Sequence, residues 1–455
     1  MANTPLNILY LHSHDTGRYI APYGHAVSTP NLQRFAESGV LFRHAFCANP
    51  TCSPSRACLL TGQYAHTNGM MGLAHRGGQL SEPRHTLPHH LRSQGYQTVL
   101  AGFQHIRSAD SPLTSADFGY SLDLSASRQP KKPGAIGRDE ATVESACKFL
   151  EAQKPDDPPF FLDAGYFTTH RLGKDTSTDP PVQWHNEGDA PFGDARYAAV
   201  PPTLPDTPDC RRDFADYAHA AERLDSLHGQ VLDALDAQGL ADRTLVIITT
   251  DHGLAFPGMK CSLTAHGTGV LLLMRGPGID GGRVMQGLVS QVDLFPTVCE
   301  AAGLPMPDHL QGHSLVPMLE GDDDTASARD AVFTEVNYHA AYQPMRSVRT
   351  DRYSYIRRLE DAPRVVRPNI DNSPSKSELH HADLLSKPYP VEELFDLYRD
   401  PTEACNRVDD PDYAEALNDM RGRLDRWMQD TDDPALAGPI NVPSITVTPA
   451  DGYTP

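Results

Sequence analysis

The amino-acid sequence predicts an α/β fold in which a central, mostly parallel sheet is flanked by helices. Through residues 1–325, apolar segments typical of buried strands alternate with amphipathic segments typical of helices. Several of the strand segments end in polar residues, as parallel strands do when a site lies at their carboxyl ends. Residues 326–455 follow a different pattern and predict a smaller C-terminal α+β domain with an antiparallel sheet.

The predicted strands of the large domain are short apolar segments bounded by turn residues. In chain order they are LNILYLHSHD, YQTVLAGF, PPFFLDAGYF, RTLVIITTDHG and HGTGVLLLMRGPG. Asp15 ends the first of these strands, and the pair Asp251–His252 ends the fourth. In an open α/β sheet, the carboxyl ends of parallel strands meet at one edge, where ligands bind. We therefore expect these side chains to lie together.

Helices are predicted between the strands. The segment TPNLQRFAESG has Thr29 as N-cap, Pro30 at the first helical position and Gly39 as C-cap. The segment ATVESACKFLEAQ predicts a second helix, and the segment that ends at Gly239 predicts a third with its leucines on one face. Residues 171–209 are rich in Pro, Asp, Thr and Gly and predict a long surface loop near the site.

The C-terminal domain contains one predicted strand and one predicted helix. VRTDRYSYIRR alternates like an exposed strand, and YAEALNDMRGRLDRWMQD is amphipathic with a helical period. Arg346, in the preceding segment YQPMRSV, is expected to have a structural role and to tie the two domains together.

Composition excludes several classes of partner. The chain has 455 residues and a formal net charge of −20, which argues against binding to nucleic acid or to anionic membranes. Its eight cysteines form no CxxC pair and predict reduced thiols instead of a disulfide framework. No secretory leader and no apolar run of about 20 residues is visible, so we expect a cytoplasmic protein.

The segment TCSPSRACLLTG is the most informative part of the chain. Pro54 favours an extended residue before it and a helix after it, and Gly62 is a suitable helix end. Cys52 is therefore expected at a helix N-terminus, which favours anions, with Arg56 one turn away. Taken alone, Cys52 could be a buried structural cysteine or a thiolate nucleophile of low pKa. The phosphatase loop with five residues between Cys and Arg is not matched.

This segment resembles the motif of the type I sulfatases of the alkaline phosphatase superfamily, Cys-x-Pro-x-Arg followed by a Leu-Thr-Gly helix end. Other segments match the same family in order, and the resemblance covers nearly the whole chain. Within the family the likeness is strongest to the heparan N-sulfatase (sulfamidase) branch, on CSPSRACLLTGQYAHTNGMMGL, FTTHRLG, YQPMRSV and RWMQDTDDP. The resemblance implies an alkaline-phosphatase-like fold and the hydrolysis of a sulfate ester or sulfamate that releases inorganic sulfate.

The resemblance also implies cofactors. Cys52 would be oxidised to formylglycine (3-oxoalanine) by a maturation enzyme, and a hydroxyl of the hydrated aldehyde would attack sulfur with the help of one divalent metal. The implied metal ligands are His14, Asp15, Asp251, His252 and residue 52. An Asp at a strand end is also commonly a turn or capping residue.

The remaining site residues are implied by the same resemblance. Arg56 would hold the geometry of the diol and the metal, and His105 would take the proton of the diol. His170 and Lys260 would bind the sulfuryl oxygens and assist the leaving group. His339 would border the substrate pocket.

Three positions depart from the family pattern. His14 replaces the first of two adjacent carboxylates; as a ligand it would shift the preference from Ca²⁺ toward Mn²⁺ or Zn²⁺, although it could equally lie outside the ligand set. Phe103 replaces a sulfate-binding lysine. Either another basic residue substitutes for it, or the substrate group carries less charge than a phosphate monoester, as a sulfate ester, a sulfamate or a phosphodiester does. Gly269 replaces a common arginine.

Three functions therefore stay open at this point. The first is a sulfatase acting on a sulfated sugar or another small molecule. The second is a phosphodiesterase or phosphonate monoester hydrolase on the same fold. The third is an inactive relative that binds sulfated ligands. We expect the maturation enzyme as a partner and leave a homo-oligomer open.

Overall fold

The computed structural model describes residues 6–125, 138–171, 184, 194–279, 281–321 and 323–454. Within these ranges the chain forms two sheets with helices packed on them. Most of the predicted loop over residues 171–209 lies outside the described residues. None of the helices in these ranges is both long and apolar enough to cross a lipid bilayer.

The larger sheet contains eight strands in the order β4-β3-β5-β1-β6-β7-β2-β8. They are β1 Asn7–Ser13, β2 Val40–Phe46, β3 Gln97–Gly102, β4 Leu122–Asp123, β5 Phe160–Gly165, β6 Thr244–Thr250, β7 Leu272–Arg275 and β8 Arg283–Ser290. All neighbouring pairs are parallel except those made by β7, which runs antiparallel to both β6 and β2. The predicted mostly parallel sheet is confirmed.

The described helices cover both faces of this sheet and part of the second. They are α1 Pro30–Ser38, α2 Cys52–Thr61, α3 Ala65–Asn68, α4 Leu87–Ser93, α5 Arg138–Glu151, α6 Pro208–Ala237, α7 Ala265–Thr268, α8 Leu294–Ala301, α9 Val316–Glu320, α10 Pro374–His381 and α11 Ala414–Asp430. α6 begins at Pro208, where Thr207 Oγ1 caps it by accepting from the backbone N–H of Cys210.

Alternate side chains of β1 enter two separate cores. Ile8 and Tyr10 pack with α2, α4 and α8, whereas Leu9 and Leu11 pack with α1, α5 and α6. A strand covered on both faces is apolar along its whole length, as its sequence predicted. The two cores fix β1 and β6 in place, and they therefore fix the polar residues that follow these strands.

The second sheet is antiparallel, with the order β12-β11-β10-β9. Its strands are β9 Val332–Tyr338, β10 Tyr342–Arg349, β11 Tyr353–Arg358 and β12 Glu392–Asp396. The predicted single exposed strand VRTDRYSYIRR is wrong: this segment is the end of β10, a turn and β11. Tyr355 and Ile356 are buried, since β12 and α11 cover this hairpin. The domain boundary at 325/326 stays a prediction.

Arg346 connects the second sheet to α3 through a network of buried charges. Its guanidinium contacts Asp433, with Nη2 2.9 Å from Oδ1, and lies 3.6 Å from Glu335. Glu335 Oε1 accepts hydrogen bonds from the backbone N–H and from Nδ1 of His66, which belongs to the large domain. The predicted structural role of Arg346 agrees with these contacts.

Replacing Arg346 by alanine is expected to destabilise the protein by about 3–5 kcal/mol, because Asp433 and Glu335 would stay buried without their cation. Equilibrium urea unfolding measures the change. The control is Arg34→Ala: Arg34 pairs with Asp233 at the surface, and this change should cost less than about 1 kcal/mol. Equal losses for the two variants would contradict the buried role of Arg346.

Candidate active site at the carboxyl edge of the large sheet

Cys52 lies at the N-terminus of α2, as the sequence predicted. It is the first residue of the helix, it is 2% exposed, and Gly62 ends the helix in the left-handed region with φ 63°. Ala57, Leu59 and Leu60 anchor the helix in the core. The backbone N–H groups of the first turn therefore point toward the space around Cys52, where they favour an anion.

The strand-end residues meet next to Cys52. The backbone N–H of Asp15, after β1, donates to Asp251 Oδ1 over 2.9 Å, and His252 Nε2 lies 3.3 Å from Asp15 Oδ1. His14 Nδ1 is 2.9 Å from Asp251 Oδ2. His252 Nε2 is also 3.5 Å from Cys52 Sγ. All five side chains are buried.

Arg56 points at the strand ends and contacts Asp251. Its Nη2 donates to Asp251 Oδ2 at 3.1 Å and to the backbone carbonyl of Ser13 at 2.9 Å, and Nη1 contacts His12 Nδ1. His12 in turn reaches Asp163 Oδ1 at 2.8 Å. Arg56 therefore orients a carboxylate of the site, which fits the predicted role of holding the geometry.

Cationic and imidazole groups surround the sulfur of Cys52. Burial alone would raise the pKa of this thiol, but the charge of Lys260 and the neighbouring imidazoles of His105, His14 and His170 bring the pKa well below its ordinary value. The structure thus brings together the residues that the sequence analysis selected. It also shows that the site favours a negative charge on the group at position 52.

Lys260 is buried between two carboxylates. Its Nζ lies 3.3 Å from Asp15 Oδ2 and 3.2 Å from Asp371 Oδ2. Burial would lower the pKa of Lys260, but the charges of Asp15 and Asp371 raise it well above its ordinary value. Lys260 is therefore a permanent positive charge beside Cys52.

His105 is held in an uncharged form. Burial lowers its pKa to about 4. Its Nε2 lies 3.4 Å from Nδ1 of His75, whose ring stacks on it with centroids 5.6 Å apart. Its buried Nδ1 makes no hydrogen bond within the described residues. An uncharged imidazole with an unused nitrogen can accept a proton.

Three of the six non-glycine residues with positive φ among the described residues lie at the same place. Asp15, His105 and Cys261 have φ angles of 48°, 57° and 64°, in the left-handed region that non-glycine residues rarely occupy. Two of them carry side chains of the site, and the third follows Lys260. Such conformations are found where a site requires a particular side-chain direction.

The donor set fits a divalent cation. Single ligand atoms of His14, Asp15, Cys52 and Asp251 all lie within 4.8 Å of one another. Among the described residues, the buried atoms Nε2 of His14 and Oδ1 of Asp15 have no hydrogen-bond partner of good geometry. His14 Nδ1 has the carboxylate of Asp251 beside it, at 2.9 Å. Buried polar atoms left in this way need a partner, and a cation would provide it.

The protonation of two histidines supports the same fit. Burial opposes a charge on His14, but Asp251 raises the pKa of His14 to about 10. Burial also opposes a charge on His252, and Asp251 and Asp15 raise its pKa to about 9. The two carboxylates therefore require positive charge, which a bound divalent cation would supply in place of these protons.

The remaining predicted residues line the same space. His339 is buried in the turn after β9, and burial followed by the charge of Lys260 lowers its pKa to about 3. His170 is partly exposed, with Nε2 4.0 Å from Asp15 Oδ2. His339 thus lies within electrostatic reach of Lys260, and His170 faces the carboxylate side.

Two residues of the site were not identified from the sequence. Asp371 lies just before α10, far along the chain from Lys260, and no motif marks it. His75 is one of 21 histidines and lies in a short turn after α3. The ion pair between Lys260 and Asp371 could not be predicted from the sequence, because it depends on how the C-terminal region folds back on the large sheet.

Phe103 forms an apolar wall where the family lysine was expected. Its ring centroid lies 3.9 Å from that of Phe167, 4.7 Å from that of His105 and 5.2 Å from that of His14. The guanidinium of Arg56 lies 5.8 Å from the same ring. Phe103 therefore adds no charge of its own to the site, and Lys260 with the imidazoles supplies the positive charge that acts on Cys52.

Comparison with known proteins decides the family. The family model described as Sulfatase matches residues 7–304, and the model described as N-sulphoglucosamine sulphohydrolase, C-terminal, matches residues 263–379. The human N-sulphoglucosamine sulphohydrolase is 31% identical over 98% of this chain and 94% of its own length. This chain belongs to the sulfatase family. It is accordingly an enzyme of the sulfuric ester hydrolase or sulfamidase class.

Other sulfatases support this assignment. An ulvan-active sulfatase of Formosa agariphila is 28% identical over 97% of this chain and 83% of its own length. A solved structure described as a 2-O GAG sulfatase superposes with a TM-score of 0.70 at 22% identity, and it covers 98% of this chain and 95% of that one. The second likeness shows the sulfatase fold, which agrees with the predicted alkaline-phosphatase-like architecture.

Proposed function

We propose that this sulfatase hydrolyses a monoanionic sulfate ester or sulfamate on a saccharide, using formylglycine formed from Cys52 and one divalent cation. The observation that carries the proposal is the environment of Cys52. Lys260 and several imidazoles face it, Arg56 is paired with Asp251, and Phe103 contributes an apolar wall. This balance suits a group with a single negative charge. The likeness to the human N-sulphoglucosamine sulphohydrolase supports a sulfamate as one such group.

The residues of this chain would divide the work. The formylglycine would supply the nucleophilic oxygen, and the cation held by His14, Asp15, Asp251 and His252 would neutralise charge beside it. Lys260 and His170 would bind the sulfuryl oxygens, where negative charge increases during the reaction. His105, uncharged and with an unused nitrogen, would take the proton. His339 and Asp371 would contact the saccharide.

Turnover of four substrates tests the function. Protein produced together with a maturation enzyme is assayed on N-sulfoglucosamine, an aryl sulfate, an aryl phosphonate monoester and an aryl phosphate monoester. We expect the two sulfur substrates to have the highest kcat/KM and the dianionic phosphate monoester the lowest. Faster turnover of the phosphonate would favour the alternative, a phosphonate monoester hydrolase or phosphodiesterase. No turnover of any substrate, with formylglycine and metal both present, would favour an inactive relative.

Replacing Phe103 by lysine is expected to change this preference. A second ammonium near residue 52 would favour a dianion, so the ratio of kcat/KM for the phosphate monoester to that for the aryl sulfate should rise by about tenfold. Phe103→Leu keeps the wall apolar and should leave the ratio unchanged. A ratio that does not move in Phe103→Lys would show that charge at this position does not select the substrate.

His14 is proposed to select the metal. An imidazole ligand favours Mn²⁺ or Zn²⁺, whereas an all-oxygen site favours Ca²⁺. Protein dialysed against equal concentrations of the three ions should retain Mn²⁺ or Zn²⁺, and the His14→Asp variant should shift toward Ca²⁺; elemental analysis measures both. The control is His381→Asp, on an exposed residue of α10. Stoichiometric Ca²⁺ in the unaltered protein would contradict this role.

A further inference from the structure

A second group of basic side chains lies in a cleft between the large sheet and the C-terminal sheet. Two adjoining cavities of about 480 Å³ and 250 Å³ share Arg18, Ala265 and Pro401. Residues from β2 and β8 line one side of the larger cavity, and Arg349 with the turn after it lines the other. None of the residues that surround Cys52 lines either cavity, so the cleft is separate from the catalytic site.

Arg18 and Arg43 place two guanidinium groups at the cleft. Arg18 donates to the backbone carbonyls of Arg43, at 2.9 Å, and of Ala265, at 3.5 Å. Within the described part of the chain, neither guanidinium takes part in an ion pair. A chain with a net charge of −20 has many carboxylates that could have been placed here. Glu403 is a carboxylate near Arg18, but it pairs with Arg349, so the charges of Arg18 and Arg43 remain at the cleft.

Arg349 adds a third guanidinium, which is partly neutralised. It lies on one side of the Phe46 ring, 4.9 Å from the centroid, while Arg18 lies 5.1 Å from the same centroid. Glu403 Oε1 is 3.0 Å from Arg349 Nη1, and Glu403 Oε2 accepts from the backbone N–H of Ala265. Asp351 is exposed at the rim of the larger cavity. Positive charge therefore exceeds negative charge in the cleft.

Three histidines face the same space. His44 lines the larger cavity, and His25 and His266 line the smaller one. His266 is held by Tyr19 Oη at 3.2 Å and by the carbonyl of Thr402 at 3.1 Å. Burial, followed by the charges of the three guanidiniums, lowers the pKa of His44 to about 4. That direction is the one expected in a positive local potential.

Gly269 makes room for Arg18. A Cβ atom at this position would lie 2.2 Å from Arg18 Nη2 and 2.5 Å from Arg18 Nε. Position 269 is the one at which the family resemblance led us to expect an arginine. In this chain the guanidinium of Arg18 occupies the space beside Gly269, so the two residues depend on each other.

We propose that this cleft binds an oxyanion, the sulfate or carboxylate group of an anionic saccharide, as a second site distinct from Cys52. Guanidinium groups bind planar and tetrahedral oxyanions through paired hydrogen bonds. The volume of the larger cavity is that of a small-ligand site. The saccharide part rests on the proposed function, whereas the oxyanion part does not depend on any turnover.

Selenate, an isostere of sulfate, tests the oxyanion part. Crystals of the full chain, grown without sulfate or phosphate, are soaked in sodium selenate, and anomalous scattering locates selenium. We expect a peak beside Arg18 and Arg43 in the unaltered protein and no peak there in Arg18→Gln or Arg43→Gln. Arg34→Gln, on an exposed helix residue, should keep the peak. A peak that survives both cleft variants, or none at the cleft in the unaltered protein, would overturn the site.

Calorimetric titration at constant ionic strength separates the two sources of the oxyanion. Arg43→Gln should weaken the binding of a sulfated hexasaccharide by about tenfold, because it removes charge-assisted hydrogen bonds. The same change should leave kcat on a monosaccharide substrate unchanged. Weaker binding of inorganic sulfate, with unchanged binding of the hexasaccharide, would support the oxyanion part and refute the saccharide part. This result would leave the proposed function unaffected, because turnover is measured separately.

Discussion

Cys52→Ser is expected to lower kcat/KM by at least about 10³-fold while the protein stays folded. Serine keeps the size and the helix-terminal position of the side chain, but the proposed chemistry requires an aldehyde, which the maturation enzyme would form from the cysteine. The position is buried among Lys260 and several imidazoles, so a hydroxyl is accommodated without a cavity. The loss should therefore appear in turnover and not in urea unfolding.

Mass spectrometry of the peptide that contains residue 52 accompanies this measurement. Oxidation of the thiol to the aldehyde lowers the peptide mass by about 18 Da, since sulfur and hydrogen are lost and oxygen is gained. The matched control is Cys405→Ser, on an exposed free cysteine outside the site, which should keep full activity. A fully active Cys52→Ser variant, or full activity of protein whose Cys52 is unmodified, would refute the aldehyde route.

Asp251→Asn is expected to reduce both metal binding and turnover, by about 10²-fold and about 10³-fold. Asp251 connects more of the site than any other single side chain described above. It accepts from the backbone N–H of Asp15 and of His252, and it contacts Arg56 and His14 through its second oxygen. An amide of the same size removes the charge and turns one acceptor into a donor.

Elemental analysis after dialysis, together with kcat/KM at saturating metal, measures the two effects. Asp233→Asn, which makes the same change at the surface, should alter neither. Full metal occupancy with full activity in Asp251→Asn would show that this carboxylate is not a ligand. Loss of turnover with full metal occupancy would assign Asp251 to orienting Arg56 and His14 instead of holding the cation.

The sequence predicted most of the strands that position the site. β1 and β6 are apolar along their whole length because both faces are buried, and such segments are easily recognised. β2 and β8 were not anticipated, because polar and charged side chains interrupt their apolar residues, as in VLFRHAF and RVMQGLVS. The direction of β7 was also undetermined, because an apolar run of four residues looks the same in either direction.

The prediction of one exposed strand at VRTDRYSYIRR was wrong because its charged side chains cover a buried hairpin. Alternation of polar and apolar residues indicated one half-exposed strand, but Arg357 and Arg358 cover the buried hairpin with their side chains and reach Asp425 and Glu393. Long charged side chains can lie along a buried surface with only their ends in water. Polarity of the sequence therefore overestimated the exposure of this segment.

The sequence by itself identified position 52 as the centre of the candidate site, together with most of the residues that lie around it. The motif around Cys52 and the strand-end residues Asp15 and Asp251 are local patterns. Each can be recognised in a short segment of sequence, because its position depends on the helix or strand that carries it. Only the tertiary structure showed which charged and polar groups lie next to one another at the site and in the cleft. Asp371 beside Lys260, His75 against His105 and the guanidinium of Arg18 in the space beside Gly269 join segments distant in the chain, and such pairings depend on packing, which no local pattern specifies.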